Sequence, residues 1–574
     1  MVMFGFGALM GVITLVFVIR RAFSRESGEI GGWELHGAWR RIAAVARTTC
    51  AEGLRAKVAS GFALLILVSL PVFYFTAEGD GTIKGKVQMF MVYSLGLTSF
   101  LLSLLTIFFS CRSLSVEVAS RQIYSIVSKP IPRWQILAGK WVGIMVVNAA
   151  LMAIACMATY VGTRAIVSQF KARLGHELAT SGGLTPAQAA DAVTALDRVR
   201  GVGKKGPESP IVYAMADAVG MTQPQMVEVL LRLSESTRVD LRRFDELRRQ
   251  VLVSRAAISP KMPDFQAEIE TVYKHLKDDG QLPQDWSDKQ IREQIELALI
   301  GRESTVPYQQ QAVWRLKGPV PPKGRDDFLM SVRFKIDVSK ELPDFIDPDV
   351  GRLERDTLLC AWGVGDPAKS TFVSVVDTFA AKTFAEFEVP VNCVEPDGTI
   401  RITYVNVDPR RVDAVFNLTG EPCGLEVLYT VGSLEINFVQ VFLAVLIEVA
   451  VLAAFGVCAS TFLSFPVASL IVLTLFIISV CMPFLYEAVA VTSEYVPPEM
   501  QDFKFMVRRY TVDALGWMLS VGDCDPVNKL GEGRNIGWGT LWGSCWRYLL
   551  LKCGATMVVA VLIFRRRELA AVIV

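Results

Sequence analysis

The chain has 574 residues, 52% hydrophobic and 20% charged, with a mean hydropathy of +0.38 and a formal net charge of +2. Such an apolar mean excludes an ordinary soluble protein of this size, and the near-neutral balance gives no basis for nucleic-acid binding. A multi-span membrane protein remains, and in that class the placement of charge matters more than its sum.

Crossing about 30 Å of hydrocarbon takes roughly 20 apolar residues as helix. Stretches of that kind fall at 2–19, 60–76, 89–111, 136–161, 437–463, 466–488 and 546–564. The first has Arg20, Arg21 and Arg25 after its apolar core, so it reads as an uncleaved anchor with its N-terminus outside rather than a signal peptide. Gly7 and Gly11 give it a GxxxG spacing, a weak packing signal in a single helix. Basic residues set the orientation. Eight Lys or Arg lie between Arg20 and Lys57. Arg112, Arg121, Lys129, Arg133 and Lys140 cluster between the next two spans, and Arg565, Arg566 and Arg567 close the chain. All three regions alternate correctly if they are cytoplasmic, which leaves 164–435 and 489–545 outside.

Residues 38–57 place Ile42, Val45, Ala46 and Leu54 at helical spacing against Arg40, Arg41, Arg47, Glu52, Arg55 and Lys57, as in a helix lying on the inner membrane face. The stretch 115–128 repeats the pattern. Val116, Ala119, Ile123, Ile126 and Val127 share one face, and Glu117, Arg121, Ser125 and Ser128 another. Pro130 stops this helix at Lys129, and Pro132 suits the first turn of the next, so the spacing predicts a short amphipathic helix, an elbow and a membrane helix. A plain cytoplasmic loop with a surface helix has the same spacing.

The large insert changes texture along its length. Residues 186–302 are rich in Ala, Leu, Glu, Arg and Gln, and 226–253 follows a helical period, with Pro260, Pro263 and Pro283 as breaks. From about 327 the runs "SVRFKIDV", "STFVSVV", "AEFEVPV", "GTIRITYVNV" and "GLEVLYTV" alternate with a period near two and predict a small antiparallel β-sandwich. The fold class is therefore an α-helical multi-pass membrane protein of six spans plus an N-terminal extra span. Its large extracytoplasmic insert is helical, then a β-sandwich. In chain order the expected parts are an anchor at 1–21, an interfacial helix at 38–57, and spans 1–3 over 58–163 with a segment 112–135 between the second and third. The insert follows at 164–435, helical over 186–302 and β-rich over 327–435. Spans 4–5 lie at 436–490, an outer loop at 491–545, and the last span and tail at 546–574.

"SKPIPRWQILAGKW" after Glu117 resembles the cytoplasmic segment of type-2 ABC transporter permeases, where an acidic residue precedes a helix ending in a Lys-Pro elbow. "RTTCAEGLRAKVASGFALLILV" is similar to the family's amphipathic N-terminal helix, "AAFGVCASTFLSFPVASLIVL" to its fourth-to-fifth helix junction, and "FRRREL" to its C-terminal end. The resemblance covers the six helices from Ser60 on, about half the chain. The extra N-terminal segment and the long insert depart from it and put the substrate in doubt. It implies a non-enzymatic subunit in a homodimer or permease heterodimer, surrounded by membrane lipid. A separate cytoplasmic ABC ATPase uses ATP and Mg, and this chain binds no cofactor of its own. It also implies that Glu52, Arg55, Glu117, Arg121, Lys129, Pro130 and Arg133 contact the ATPase. Lys129, Arg133 and Lys140 fit a headgroup-anchoring role equally well. The insert has the size to bind an envelope protein.

Chemistry internal to the chain has little support. ATP binding in cis needs G-x-x-x-x-G-K-[ST] after a strand. "DGTIKGKV" has Asp80 at the first Gly and Val87 at the hydroxyl, and "RVRGVGKKG" fails likewise. His36, His176 and His275 show no metal-ligand spacing, and no G-x-S-x-G elbow accompanies them. Of the eleven cysteines, Cys360, Cys393, Cys423 and Cys524 fall outside the membrane, where a disulfide is permitted but not required. Glu448 sits near mid-bilayer in its span, where a carboxylate must be protonated, paired or facing a polar cavity. It either lines a pathway or fixes helix packing.

Overall fold

The computed structural model describes residues 32–120, 131–198, 210–279, 288–318, 330–418, 423–495, parts of 507–516, and 525–566, apart from short stretches within these ranges. The expected anchor at 2–19 lies outside the described residues, as do Arg121, Lys129, Pro130 and Cys524. Two compact units emerge. One takes in Met1–Phe170, Leu434–Ser493 and Phe503–Val574, the other Lys171–Ser433 and Glu494–Asp502.

The first unit is helical. Helix α1 (Gly32–Arg55) leads into α2 (Lys57–Thr76), α3 (Ile83–Ala119) and α4 (Arg133–Thr180). Thr82 caps α3, its hydroxyl accepting the Gly85 amide at 3.1 Å. Past Gly96 no Gly or Pro falls in α3 up to Ser120, so the backbone ladder runs straight from the expected span into Ser115–Ala119. The described part of the proposed amphipathic helix is thus the end of the second span and not a separate element. Helix α4 likewise runs past residue 161, carrying its internal glycines within the ladder, and ends at Thr180 just before Gly182 and Gly183, the latter at a φ of +75°. The compact division consequently falls at Phe170/Lys171 and Ser433/Leu434 rather than at the expected 163/164 and 435/436.

The second unit opens with α5 (Pro186–Arg198), α6 (Pro210–Val219), α7 (Gln223–Leu231) and α8 (Glu235–Glu246), the last running into a π turn at Leu247–Val251. The helical period expected over 226–253 is broken at Ser234, whose side chain caps α8 by accepting the Thr237 amide. Strand β1 (Val253–Ile258) then interrupts the expected helical half, before α9 (Gln266–Asp278) and α10 (Asp288–Ser304). The strands that follow are β2 (Thr305–Val306), β3 (Gln311–Lys317), β4 (Met330–Lys335), β5 (Asp337–Val338), β6 (Phe345–Asp347), β7 (Gly351–Leu353) and β8 (Thr357–Val364). The series ends with β9 (Val373–Ala380), β10 (Phe384–Val389), β11 (Thr399–Asn406), β12 (Ala414–Val415) and β13 (Leu425–Ser433). Two four-stranded antiparallel sheets, ordered β1-β13-β4-β10 and β3-β11-β8-β9, share one core. Strands β1, β3 and β8 are additions to the five runs legible in the sequence. At the centre, Trp362 lies 4.4 Å from Phe334 and 4.8 Å from Tyr404, centroid to centroid. Cys360, Cys393 and Cys423 are buried.

The chain returns to the first unit through α11 (Leu434–Ser460) and α12 (Phe465–Tyr495). After α13 (Pro526–Gly531), the last span comprises α14 (Trp538–Ser544), a π-helical stretch at Cys545–Cys553, and α15 (Gly554–Arg566). Among the described residues, five helical segments are long and apolar enough to cross a membrane, and Ser60–Thr76 is a shorter apolar helix. These six coincide with the six spans read from Ser60 onward. The chain is a multi-pass helical membrane protein with a β-rich insert.

Candidate functional site

The ends of four helices meet around Lys140. Gly139 and Gly143 present one edge of α4, and α1 lies directly on that edge. A Cβ at Gly139 would stand 2.6 Å from Val45 Cβ, and one at Gly143 would stand 2.8 Å from the Ala46 carbonyl oxygen. Only glycine permits this approach, the small-xxx-small packing of membrane helices. Cys50 Sγ donates to the Gly143 carbonyl at 3.2 Å across the same seam, and Arg41 Nε donates to Gln135 Oε1 at 2.8 Å. A Cβ at Gly53 would in turn lie 2.5 Å from the Phe109 ring of α3. Helix α1 is therefore held against both neighbouring spans, through Ile42, Ala46 and Thr49, which are buried.

Lys140 is 2% exposed and donates to Glu117 Oε1 at 2.6 Å and to the Ser113 carbonyl at 2.7 Å. Glu117, 8% exposed, is thus inside the helix cluster and not on the outward face that its spacing suggested. The reason is tertiary: α4 brings an ammonium to it, and burial of a lone carboxylate costs more than burial of a paired one. Arg133 is also engaged internally. Its Nη1 donates to the Phe564 and Arg565 carbonyls at 2.6 and 2.8 Å, closing the last turn of α15, and its guanidinium stacks 5.7 Å from the Phe564 ring. Glu52 and Arg55, by contrast, are exposed at the end of α1.

Helix α11 completes the cluster. Gly456 meets the Ser110 side chain of α3 without room for a Cβ, and Trp141 Nε1 donates to the Ala450 carbonyl at 3.0 Å. At the other end Tyr160 stacks edge-on to Phe438 at 5.6 Å, so α4 and α11 run antiparallel. Glu448 lies on α11, partly exposed, with no hydrogen bond or ion pair among the described residues. Asn148, Gln440, Ser94 and Thr159 are each 1% exposed or less and keep unpartnered side-chain polar atoms.

Sequence reasoning missed the Gly139/Gly143 seam and the Glu117–Lys140 pair. The first was visible as "AGKWVG"; the second had no local signal, since its members are 23 residues apart on different helices. No cluster able to hold a metal occurs among the described residues.

A bundle of apolar spans tied at one end by a buried ion pair and backbone-close crossings defines the class, a polytopic membrane subunit. Residues 9–181 match the family model described as ABC-2 family transporter protein, which is consistent with an ABC-2 type permease. The match spans α1 to α4, the helices that build the seam and the ion pair. No curated protein and no solved structure matches the chain.

Proposed function

We propose that this chain is the membrane-spanning subunit of an ATP-driven exporter, moved by a separate ABC ATPase that binds ATP and Mg. The family match over α1–α4 carries this reading. The arrangement of those helices supports a division of labour. Glu52 and Arg55, exposed at the end of α1, meet the ATPase together with Arg121, Lys129 and Pro130 of the segment after α3. Glu117, Lys140 and Arg133 tie α3, α4 and α15 to one another. Movement pressed on α1 then passes to α4 through a seam in which Gly139 and Gly143 let the two helices pack closely.

Reversing both surface charges, Glu52→Lys with Arg55→Glu, is expected to abolish co-purification of the ATPase while membrane insertion persists. An ATPase that still co-purifies places the contact elsewhere. The permease pairs with a second copy or a related permease, and crosslinking in membranes reads which.

A second reading rests on the insert, a compact unit with a core of its own. In it, ATP-driven motion acts on an envelope partner and nothing crosses the bilayer. Reconstituted vesicles separate the two: ATP-dependent movement of a solute or lipid supports export, and coupled ATP turnover without flux supports the mechanical role.

A further inference from the structure

One end of the β3-β11-β8-β9 sheet carries a charged cleft that the transport reading does not use. Strand alternation sends Leu316, Ile400 and Ile402 into the core and turns Arg315, Lys317, Thr399 and Arg401 to the opposite face. The register sets Arg315 directly opposite Arg401, and Lys317 opposite Thr399. Like charges so opposed have Cβ atoms about 4.5–5.5 Å apart and destabilise the pair unless an anion is shared between them. A cleft of about 460 Å³ opens over these side chains, with Asp366, Glu395 and Asp397 at its rim.

Two rim carboxylates are committed to their own turns. Asp397 accepts from the Thr399 amide at 3.0 Å and its hydroxyl at 2.7 Å. Asp366 accepts from the Ala368 amide at 3.1 Å and faces Lys369 at 3.6 Å. Among the described residues, Arg315, Lys317, Arg401 and Glu395 make no side-chain hydrogen bond or ion pair, and Arg401 Nε is buried without a partner. The cleft thus offers three cations, of which Arg401 and Lys317 also feel the Asp366 and Asp397 carboxylates, and a third carboxylate, Glu395, not committed to a turn of its own. Leu316 is its single apolar lining residue, so it has no seat for an acyl tail.

We propose that this cleft binds a small zwitterion, a phosphate monoester or diester bearing an ammonium group. The phosphate sits between Arg315 and Arg401 within reach of Lys317, and the ammonium faces Glu395. A phosphate carries oxygens enough for all three cations and matches the arginine fork. A polyanion would meet the rim carboxylates, and a simple cation would meet the arginines. A molecule with both charges satisfies floor and rim together. The proposal is independent of the transport reading, because its test involves no ATPase.

The test is isothermal titration of the full-length chain in detergent with phosphoethanolamine, inorganic phosphate and ethanolamine. Phosphoethanolamine is expected to bind saturably, and Arg315→Ala with Arg401→Ala to weaken it at least about tenfold, the effect of losing one charge-assisted hydrogen bond. Glu395→Gln is expected to weaken phosphoethanolamine and leave inorganic phosphate unchanged. An unchanged thermal midpoint shows that each variant is folded, and Arg401→Lys retains most of the affinity. Absence of saturable binding, or equal binding by the double variant, overturns the site. Equal loss of both ligands in Glu395→Gln overturns the zwitterion. Dihexanoyl phosphatidylethanolamine distinguishes the sources. Tighter binding than the free headgroup marks a lipid, and equal or weaker binding marks a soluble metabolite.

Discussion

Lys140 and Glu117 illustrate how residue-level chemistry constrains this protein. Each charge is buried, and each is tolerable because the other neutralises it. Lys140→Met strands the Glu117 carboxylate in an apolar cluster and is expected to cost about 3–5 kcal/mol, whereas Lys140→Met with Glu117→Leu recovers most of that loss. Thermal unfolding in detergent reads both, and a double variant no better than the single one refutes the pairing. Asp408 makes a similar point in the insert. Burial pushes its carboxyl up, but the Arg410 side chain and the Arg410 and Leu359 amides outweigh this and hold it below the usual aspartate range. A depressed folded value stabilises the native state above the ordinary value of about 3.9, and that contribution is lost as pH falls below it toward the folded value. The stability gap between the native chain and Asp408→Asn should therefore be full at pH 7 and shrink below pH 4. A gap that widens on acidification contradicts the sign.

Between elements, the glycine seam is the most exacting contact. Gly143→Leu drives a side chain into the Ala46 backbone, where no rotamer gives relief, and should destabilise by about 1–3 kcal/mol or more. Gly61→Leu on α2 meets open space and should be neutral, which makes it the matched control. If the two variants melt alike, α1 does not lie on α4. Helix α3 carries a related lesson. Its expected end was read from a change of polarity near Arg112, yet a helix stops where its ladder is broken, and no Gly or Pro falls between Leu97 and Ser120. Polarity marks the membrane boundary; hydrogen bonding marks the helix boundary.

At the scale of the whole molecule, the two units have separate cores. Trp362→Ala removes the aromatic centre of the insert and is expected to cost about 3–5 kcal/mol there. Hydrogen exchange should rise across Lys171–Ser433 while the helices of the other unit keep their protection. Loss of protection in both units would show that they fold as one.

The six spans from Ser60 onward and the alternating strands were legible along the chain because both depend on local quantities: apolar length against a fixed bilayer thickness, and the two-residue period of a half-buried strand. The exposed ends of α1, Glu52 and Arg55, were legible for the same reason. Strand β1 was not, because "VSRAAI" becomes a strand only by pairing with β13, some 170 residues later in the chain. Nor was the inward turn of Glu117, which depends on where α4 sets Lys140. Local periodicity decides which face of an element is apolar; only packing decides whether a charge on the other face meets water or a partner.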